Sequence, residues 1–209
     1  MEKLKRNQIK KACKVFAQIF ADYEAYDILF GNDKRRMLRR YYLYRLEVYM
    51  AKDFTYVDDD FGALCSIKRP TKIQQDGDGK KIIVSDREYS AKPLFYNPFF
   101  AIAFFAAVGI KQFRIAVEYV NMADETAKNL YNPNTDYYVK NIGVVKSARG
   151  QGRLKRMLND ICGDNPIYLE THDINNVAIY QKLGFELLET VEWRGITHYA
   201  MRREGKAQH

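Results

Sequence analysis

The segment 148–154, ARGQGRL, sets two glycines among two arginines and a glutamine. It lies where a strand-like stretch, YYVKNIGVVK, hands over to a helix-like one. Glycine reaches backbone angles closed to other residues and lets a ligand approach the main chain. Ahead of a helix it leaves amide donors without intrahelical partners, and these, with the helix dipole, make an anion site. Arg149, Arg153 and Lys155 add positive charge nearby. The segment reads either as a diphosphate cradle or as a plain loop leading into a solvated basic helix start. Two well-known phosphate signatures, GxxxxGK[ST] and GxGxxG, are both missing from it. The DGDGK run at 76–80 lacks the spacing and terminal Glu of a calcium loop, so no metal is expected.

The chain that must position this loop has 209 residues, 47% hydrophobic and 29% charged. That suits one domain over 1–205 with a sizeable core, and excludes a disordered chain. The net charge is +8, concentrated in MEKLKRNQIKK and in KRRMLRR at 34–40. Such a surface favours phosphate-bearing or acidic partners; equally, KRRMLRR reads as a solvated helix face. Zinc-finger spacings and similar DNA-reading motifs are absent, so nucleic acid is not the expected partner. Cys13, Cys65 and Cys162 are odd in number and form no CxxC. They fit a reducing compartment and inert buried thiols. The apolar run FFAIAFFAAVGI at 99–110 is shorter than the roughly 20 residues that span a bilayer. It reads as a buried helix, or less directly as a hydrophobic docking surface. The N-terminus lacks a clean apolar signal core. A cytoplasmic protein without a membrane partner is the expectation.

Apolar spacing predicts helices over 8–29 and 34–50, the second with an aromatic stripe of Tyr41, Tyr42, Tyr44 and Tyr49. Asp53 starts a change of pattern. Residues 54–69 read as a hairpin turning at Asp58-Asp59-Asp60, and 70–81 as a loop marked by Pro70, Gly77 and Gly79. Pro98 opens one or two helices reaching about 130, with Gly109 permitting a bend. From 135 the order is strand, helix, strand, helix, strand, strand. The last two strands flank a turn at Gly195, and GKAQH forms a mobile tail. This alternation predicts an α/β layer around a mixed central sheet.

Against that background, YYVKNIGVVKSARGQGRL at 137–154 resembles the acetyl-coenzyme A motif of the GCN5-related N-acetyltransferase superfamily. Arg149, Gly150 and Gly152 stand in the motif, and Leu154 stands where the family has Gly or Ala. YLETHDINNVAIYQKLGF at 168–185 resembles the family's strand and following helix, ending in Tyr180, Gly184 and Phe185. Asn176, four residues before the Tyr, is similar to the branch of puromycin-type acetyltransferases. The match covers 135–201.

The resemblance implies a mixed, strongly twisted sheet flanked by helices, with two core strands, at 136–145 and 166–171, splayed around the acetyl-pantetheine arm of acetyl-coenzyme A. Main-chain groups at Ile142, Val144 and Val145 would pair with that arm. The amides of Gly150, Gln151, Gly152 and Arg153 would cradle the pyrophosphate, with Arg149 beside them. Asn176 would cap or orient the helix carrying Tyr180, near the pantetheine path. Tyr180 would act as the acid at the thioester sulfur, and Phe185 would be core. For the base, Glu170 ranks first, then His172 two residues on, with Asp136 a third choice. Deprotonation through water without one dominant base stays open. Trp193, His198 and the aromatic segment 41–49 would wall the acceptor side.

The implied activity is acetyl transfer to a primary amine, most readily of a small molecule, by direct attack. An amino acid, a polyamine, a drug-like amine, an acidic small molecule or a protein remains open as acceptor. A non-catalytic acyl-coenzyme A binding module, motivated by Leu154, and a basic nucleic-acid interaction protein are the competing readings. Monomer and homodimer are both open.

Overall fold

The structure is a computed structural model that describes residues 1–23, 25–50, 54–75, 81–84 and 97–205. Asp53, the whole DGDGK run with Gly77 and Gly79, and the last four residues of the chain lie outside them.

Among the described residues, nine strands and six α-helices follow one another. They are β1 (Glu2–Lys3), α1 (Ile9–Ile19), α2 (Ala25–Phe30), α3 (Arg36–Met50), β2 (Thr55–Val57), β3 (Ala63–Lys68), β4 (Lys72–Gln75) and β5 (Lys81–Val84). Then come α4 (Pro98–Leu130), β6 (Tyr137–Val144), α5 (Arg153–Cys162), β7 (Ile167–Thr171), α6 (Ile174–Gln181), β8 (Glu186–Trp193) and β9 (Ile196–Arg203). Seven strands form one sheet in the order β1-β2-β3-β6-β7-β9-β8, and β4 pairs with β5 alone. Every pairing is antiparallel except β6 with β7. The expected mixed sheet is therefore present, and the expected loop at 70–81 instead begins and ends in a small hairpin.

Alternation along the strands sorts side chains to two faces. On one face Ile67, Val139, Ile167 and Leu169 meet Met157, Leu158 and Cys162 of α5 and Val177 and Tyr180 of α6. On the other, Leu64 packs under α1 and α3, while Tyr138, Tyr168 and Ala200 pack under Ala127 of α4. Each fully buried Leu, Ile or Met here contributes about 1.5–3 kcal/mol through area removed from water. Cys13, Cys65 and Cys162 are buried free thiols. Burial pushes Cys13 and Cys162 up to about 12 and Cys65 well above its usual value, which suppresses the reactive thiolate.

Three local expectations change. The predicted 8–29 helix breaks between α1 and α2, where Arg40 donates to the carbonyls of Phe20 and Ala21 and, at 3.1 Å, to Asp27. Arg40 is fully buried, so the basic run at 34–40 is not wholly a solvated face. The helix at 98–130 starts as predicted: Pro98 occupies its first turn and the Asn97 carbonyl oxygen of the side chain accepts from the Phe100 amide at 2.9 Å. Gly109, with φ of 77°, kinks it. Only one face of its apolar run is buried, through Phe100, Phe104 and Val108; Phe99, Ile102 and Ile110 are exposed.

β6 and β7 pair only over Tyr137–Val139 against Ile167–Leu169. Beyond that, β6 runs on against β3 and β7 runs on against β9. The sheet forks here, as expected of a splayed pair.

Candidate active site at the strand fork

A cavity of about 630 Å³ opens at the fork. Lys140, Asn141 and Ile142 of β6, Glu170 and Thr171 of β7, and His172, Asn176 and Tyr180 beyond it line one end. Helices α2, α3 and α4 close the other end.

Glu170 is the electrostatic centre. The hydroxyls of Tyr138 and Tyr168 each donate to it at 2.8 Å. His198 Nε2, from β9, lies 3.8 Å from Glu170 Oε1, within ion-pair range but beyond hydrogen-bond length. Burial alone would raise the Glu170 carboxyl; His198, Lys140 and Tyr168 outweigh it and hold the group below its ordinary value. Glu170 is therefore ionised and fully engaged, which suits a charge anchor better than a direct base.

His198 joins Glu170 to the third member of the cluster. Its Nδ1 lies 3.1 Å from His172 Nε2, and its ring is completely buried. His172 sits just past the end of β7, and its backbone amide donates to the Tyr23 hydroxyl at 2.8 Å. Burial, then the neighbouring His198, push the His172 imidazole down to about 3. His172 is thus neutral near pH 7. The tautomer that turns a His198 Nε2–H toward Glu170, 3.8 Å away, and lets His172 Nε2 donate to His198 Nδ1 leaves His172 Nδ1 as the basic nitrogen.

Several sequence expectations meet this geometry differently. Glu170, His172, Asn176 and Tyr180 all line the cavity, as does Ile142. Asn176 does not cap α6: Asp173 does, accepting from the Asn175 amide at 2.8 Å, because the cap position precedes the first helical residue. Asn176 instead donates to Thr171 Oγ1 at 3.3 Å. Asp136 is fully buried and bound to Arg202 at the opposite end of β6, so it is no base for this cavity. Trp193 and His198 do not line the cavity; Tyr119 of α4 stands against both rings, at 5.6 and 6.2 Å between centroids. From the aromatic segment Tyr44 reaches the cavity wall, whereas Tyr42 packs on Phe100. Phe185 is core, as expected.

The glycine loop also divides. Gly150 and Gly152 take φ of 76° and 70°, and an added Cβ would meet nothing within 4 Å at either. Gly152 caps α5 with no side-chain acceptor on its first amides, which leaves an open cradle of donors. Leu154 is partly buried and packs against the main core. The Arg153 guanidinium is not available to an anion as expected: Asp58 holds it at 2.7 Å and Asp60 at 2.5 and 2.9 Å. Arg149 Nε donates to the Val144 carbonyl at 3.2 Å, and Gln151 Nε2 to the Ser147 carbonyl at 3.4 Å. Val145 does not fit a main-chain role toward a ligand. Its amide donates to Gly62 and its carbonyl accepts from Ala148, both at 2.9 Å.

Sequence reasoning missed Tyr23, Tyr119 and Lys140. Lys140 was marked as the one charge in its strand, and its ammonium lies 3.6 Å from Asp124. Burial pushes Lys140 down, partly offset by Glu170 and Asp124. Tyr119 carried no such mark, because apolar and polar residues alternate without a clean stripe along that part of α4.

No family model matches the chain, and no curated relative matches it. Solved structures do. A Corynebacterium glutamicum protein described as histone acetyltransferase HPA2 and related acetyltransferase aligns over 99% of this chain and 96% of its own, at 16% identity and a TM-score of 0.59. The mosquito arylalkylamine N-acetyltransferase like 5b aligns over 95% and 96%, at 13% identity and a TM-score of 0.54. At such identities the likeness is one of fold.

Proposed function

We propose that this chain, whose fold is that of the GCN5-related N-acetyltransferases, transfers an acetyl group from acetyl-coenzyme A to the primary amine of a small molecule by direct attack. The observation that carries this reading is the fork itself. It joins an unpaired β6 edge, an open glycine cradle and a cavity holding a neutral histidine.

The residues fit the acyl donor. The β6 backbone at Ile142 and Val144 would run along the pantetheine arm. Amides of Gly150, Gln151, Gly152 and Arg153 would hold the pyrophosphate, with the Arg149 side chain released from Val144 to join them. Asn176 would flank the arm. When bound, the donor supplies a thioester carbonyl open to attack.

The chain's own groups do the rest. Proximity of two bound reactants supplies much of the acceleration. His172 Nδ1 takes the ammonium proton. An imidazole depressed to about 3 is a weak base on its own, so the second nitrogen matters. As His172 gains a proton at Nδ1, its Nε2 proton passes to His198 Nδ1. The charge then rests on His198, beside the ionised Glu170. Tyr180 lines the same cavity. Burial pushes its phenol well above the ordinary value, so it stays protonated and donates a hydrogen bond to the departing sulfur, which leaves as the thiol with the second proton shed by the attacking nitrogen.

Calorimetric titration with acetyl-coenzyme A tests the binding half of this reading, and mass spectrometry of acetylated amine with release of free thiol tests the transfer. Gly152→Val forces a β-branched residue into a left-handed conformation costing roughly 1–3 kcal/mol. Acetyl-coenzyme A affinity is expected to fall about tenfold or more with the folded circular dichroism spectrum kept. Unchanged affinity would remove the loop from the site.

A further inference from the structure

We infer that the acceptor is a monoamine with an apolar body, aromatic or alkyl, and that the pocket between α2, α3 and α4 takes that body. The inference rests on the acetyl-transfer reading above and selects among the acceptors that the sequence leaves open.

The two ends of the cavity differ in chemistry. The fork end carries the polar groups. The far end is formed by Leu29 and Phe30 of α2, Leu43 and Leu46 of α3, and Phe113 and Val117 of α4. None of these six side chains carries a charge or a hydrogen-bonding group. Tyr26 adds an edge-to-face contact with Phe30, with centroids 4.8 Å apart at 87°, a geometry that a further aromatic ring extends.

The acids that line the cavity are tied back to the fork. Asp124 lies 3.6 Å from Lys140 on β6. Glu47 accepts from Asn141, also on β6. Glu170 is bound by two tyrosines. An amine entering nitrogen-first meets these acids and His172 at the fork, and its remainder lies among aliphatic and aromatic side chains.

A polyamine carries a second charge several bonds from the reacting nitrogen, as does an amino acid that reacts through a side-chain amine. In this cavity that charge would lie among Leu43, Leu46 and Phe113, with the neutral Tyr26 and Tyr44 hydroxyls in place of a countercharge, and a buried charge without one is strongly disfavoured. An apolar body gains from the same burial. Size alone discriminates weakly in an apolar pocket, whereas a misplaced polar group is rejected strongly. The pocket therefore selects against a second charge more sharply than it selects among apolar shapes.

Hexylamine and 1,6-diaminohexane differ by one terminal amine and isolate this property. On the full chain with saturating acetyl-coenzyme A, kcat/KM for hexylamine is expected to exceed that for the diamine by about 100-fold, after correction for the diamine's two equivalent ends. Calorimetric affinities of the two amines for the protein, without acyl donor, should differ in the same direction. Val117 is 41% exposed at the cavity wall, so Val117→Glu is expected to fold and to narrow the ratio at least tenfold by giving the second ammonium a partner. Equal affinities for the two amines, or an unchanged ratio in Val117→Glu, overturns the inference even if transfer occurs. Selective hexylamine binding with no transfer to any amine upholds the pocket and instead rejects the acetyl-transfer reading.

Discussion

Two buried carboxylates mark the two ends of the parallel strand pair, and they are built differently. Asp136 enters β6 where the pair is closed. Its oxygens accept from the Asn132 amide at 3.1 Å, Thr135 Oγ1 at 2.7 Å, and Arg202 at 2.9 and 3.2 Å. Glu170 lies near the end of β7, where the pair has opened, and its partners are two phenols and an imidazole. Arg202 carries a permanent charge and does not give up a proton near neutral pH. The partners of Glu170 are the kind that hold, orient or move protons. Burial of an acid is thus common to a structural clamp and a reactive centre; the partners and the facing cavity separate them.

The sharpest way to break this comparison is through activity. His172→Ala is expected to lower kcat by about 10²–10⁴, the usual worth of a positioned proton acceptor, with acetyl-coenzyme A affinity kept within about twofold. Asp136→Asn should leave the kcat of folded protein nearly unchanged. His198→Gln removes the resting place of the charge, so it should lower kcat and also alter the pH profile. Steady-state rates across pH 6–9, with calorimetry for the donor, read all three. A His172→Ala enzyme of normal kcat would put the two carboxylates back in one class.

Stability sharpens the comparison from the other side. Asp136→Asn leaves the part-buried Arg202 with Glu204 as its remaining charged partner, and losing charge-assisted hydrogen bonds of this kind costs about 2 kcal/mol, measured by urea unfolding. The pH windows also differ. Burial alone would raise the Asp136 carboxyl, but Arg202, the Asn132 amide and Thr135 hold it below its ordinary value. Its contribution is present above the unfolded value of about 3.9 and is lost as pH falls through the lower folded one. His172 is pushed down from 6.5 to about 3, so the unfolded chain takes up its proton first. Stability therefore falls with pH between about 6.5 and 3, by at most about 1.4 kcal/mol per unit. Asp136→Asn should flatten the acid limb below about 4, and His172→Ala the limb above it.

The same contrast explains what was legible in the sequence. Local signals succeeded: Asn97-Pro98 opens α4, the glycines at 150 and 152 take positive φ, and Arg194-Gly195 turns β8 into β9. Tyr180, singled out by the resemblance, and Glu170 and His172, singled out by residue type and position, do line one cavity. What failed was set by contacts between distant segments. Arg153 looked free for an anion until the Asp58-to-Asp60 turn, 93 residues away or more, closed on it. Val145 looked like a free main-chain group until Gly62 met its amide. Asp136 and Glu170 look alike in sequence, since neither Arg202 nor His198 can be paired with them before the order of β7, β9 and β6 is known. His198 alternates inward on β9 as any core residue would, and nothing local distinguishes it from one.

Tyr180 supplies the smallest expected effect, and its size follows from where it sits. The phenol is buried beside the fork, not in the Glu170 cluster. Tyr180→Phe keeps the ring and its packing on Phe185, whose centroid lies 5.5 Å away, so stability should change little. Losing one hydrogen bond to the departing sulfur, worth about 1–1.5 kcal/mol, predicts a fall in kcat of about tenfold with donor affinity unchanged. Because burial keeps the phenol protonated, the ratio of wild-type to variant kcat should be flat from pH 6 to 9. The corresponding ratio for His198→Gln should vary with pH, since that residue receives the proton passed on from His172 in the proposed relay. A Tyr180→Phe ratio that also varied would place the phenol in the proton path from the amine, and Glu170 would then no longer anchor the only chain of exchangeable protons at the fork.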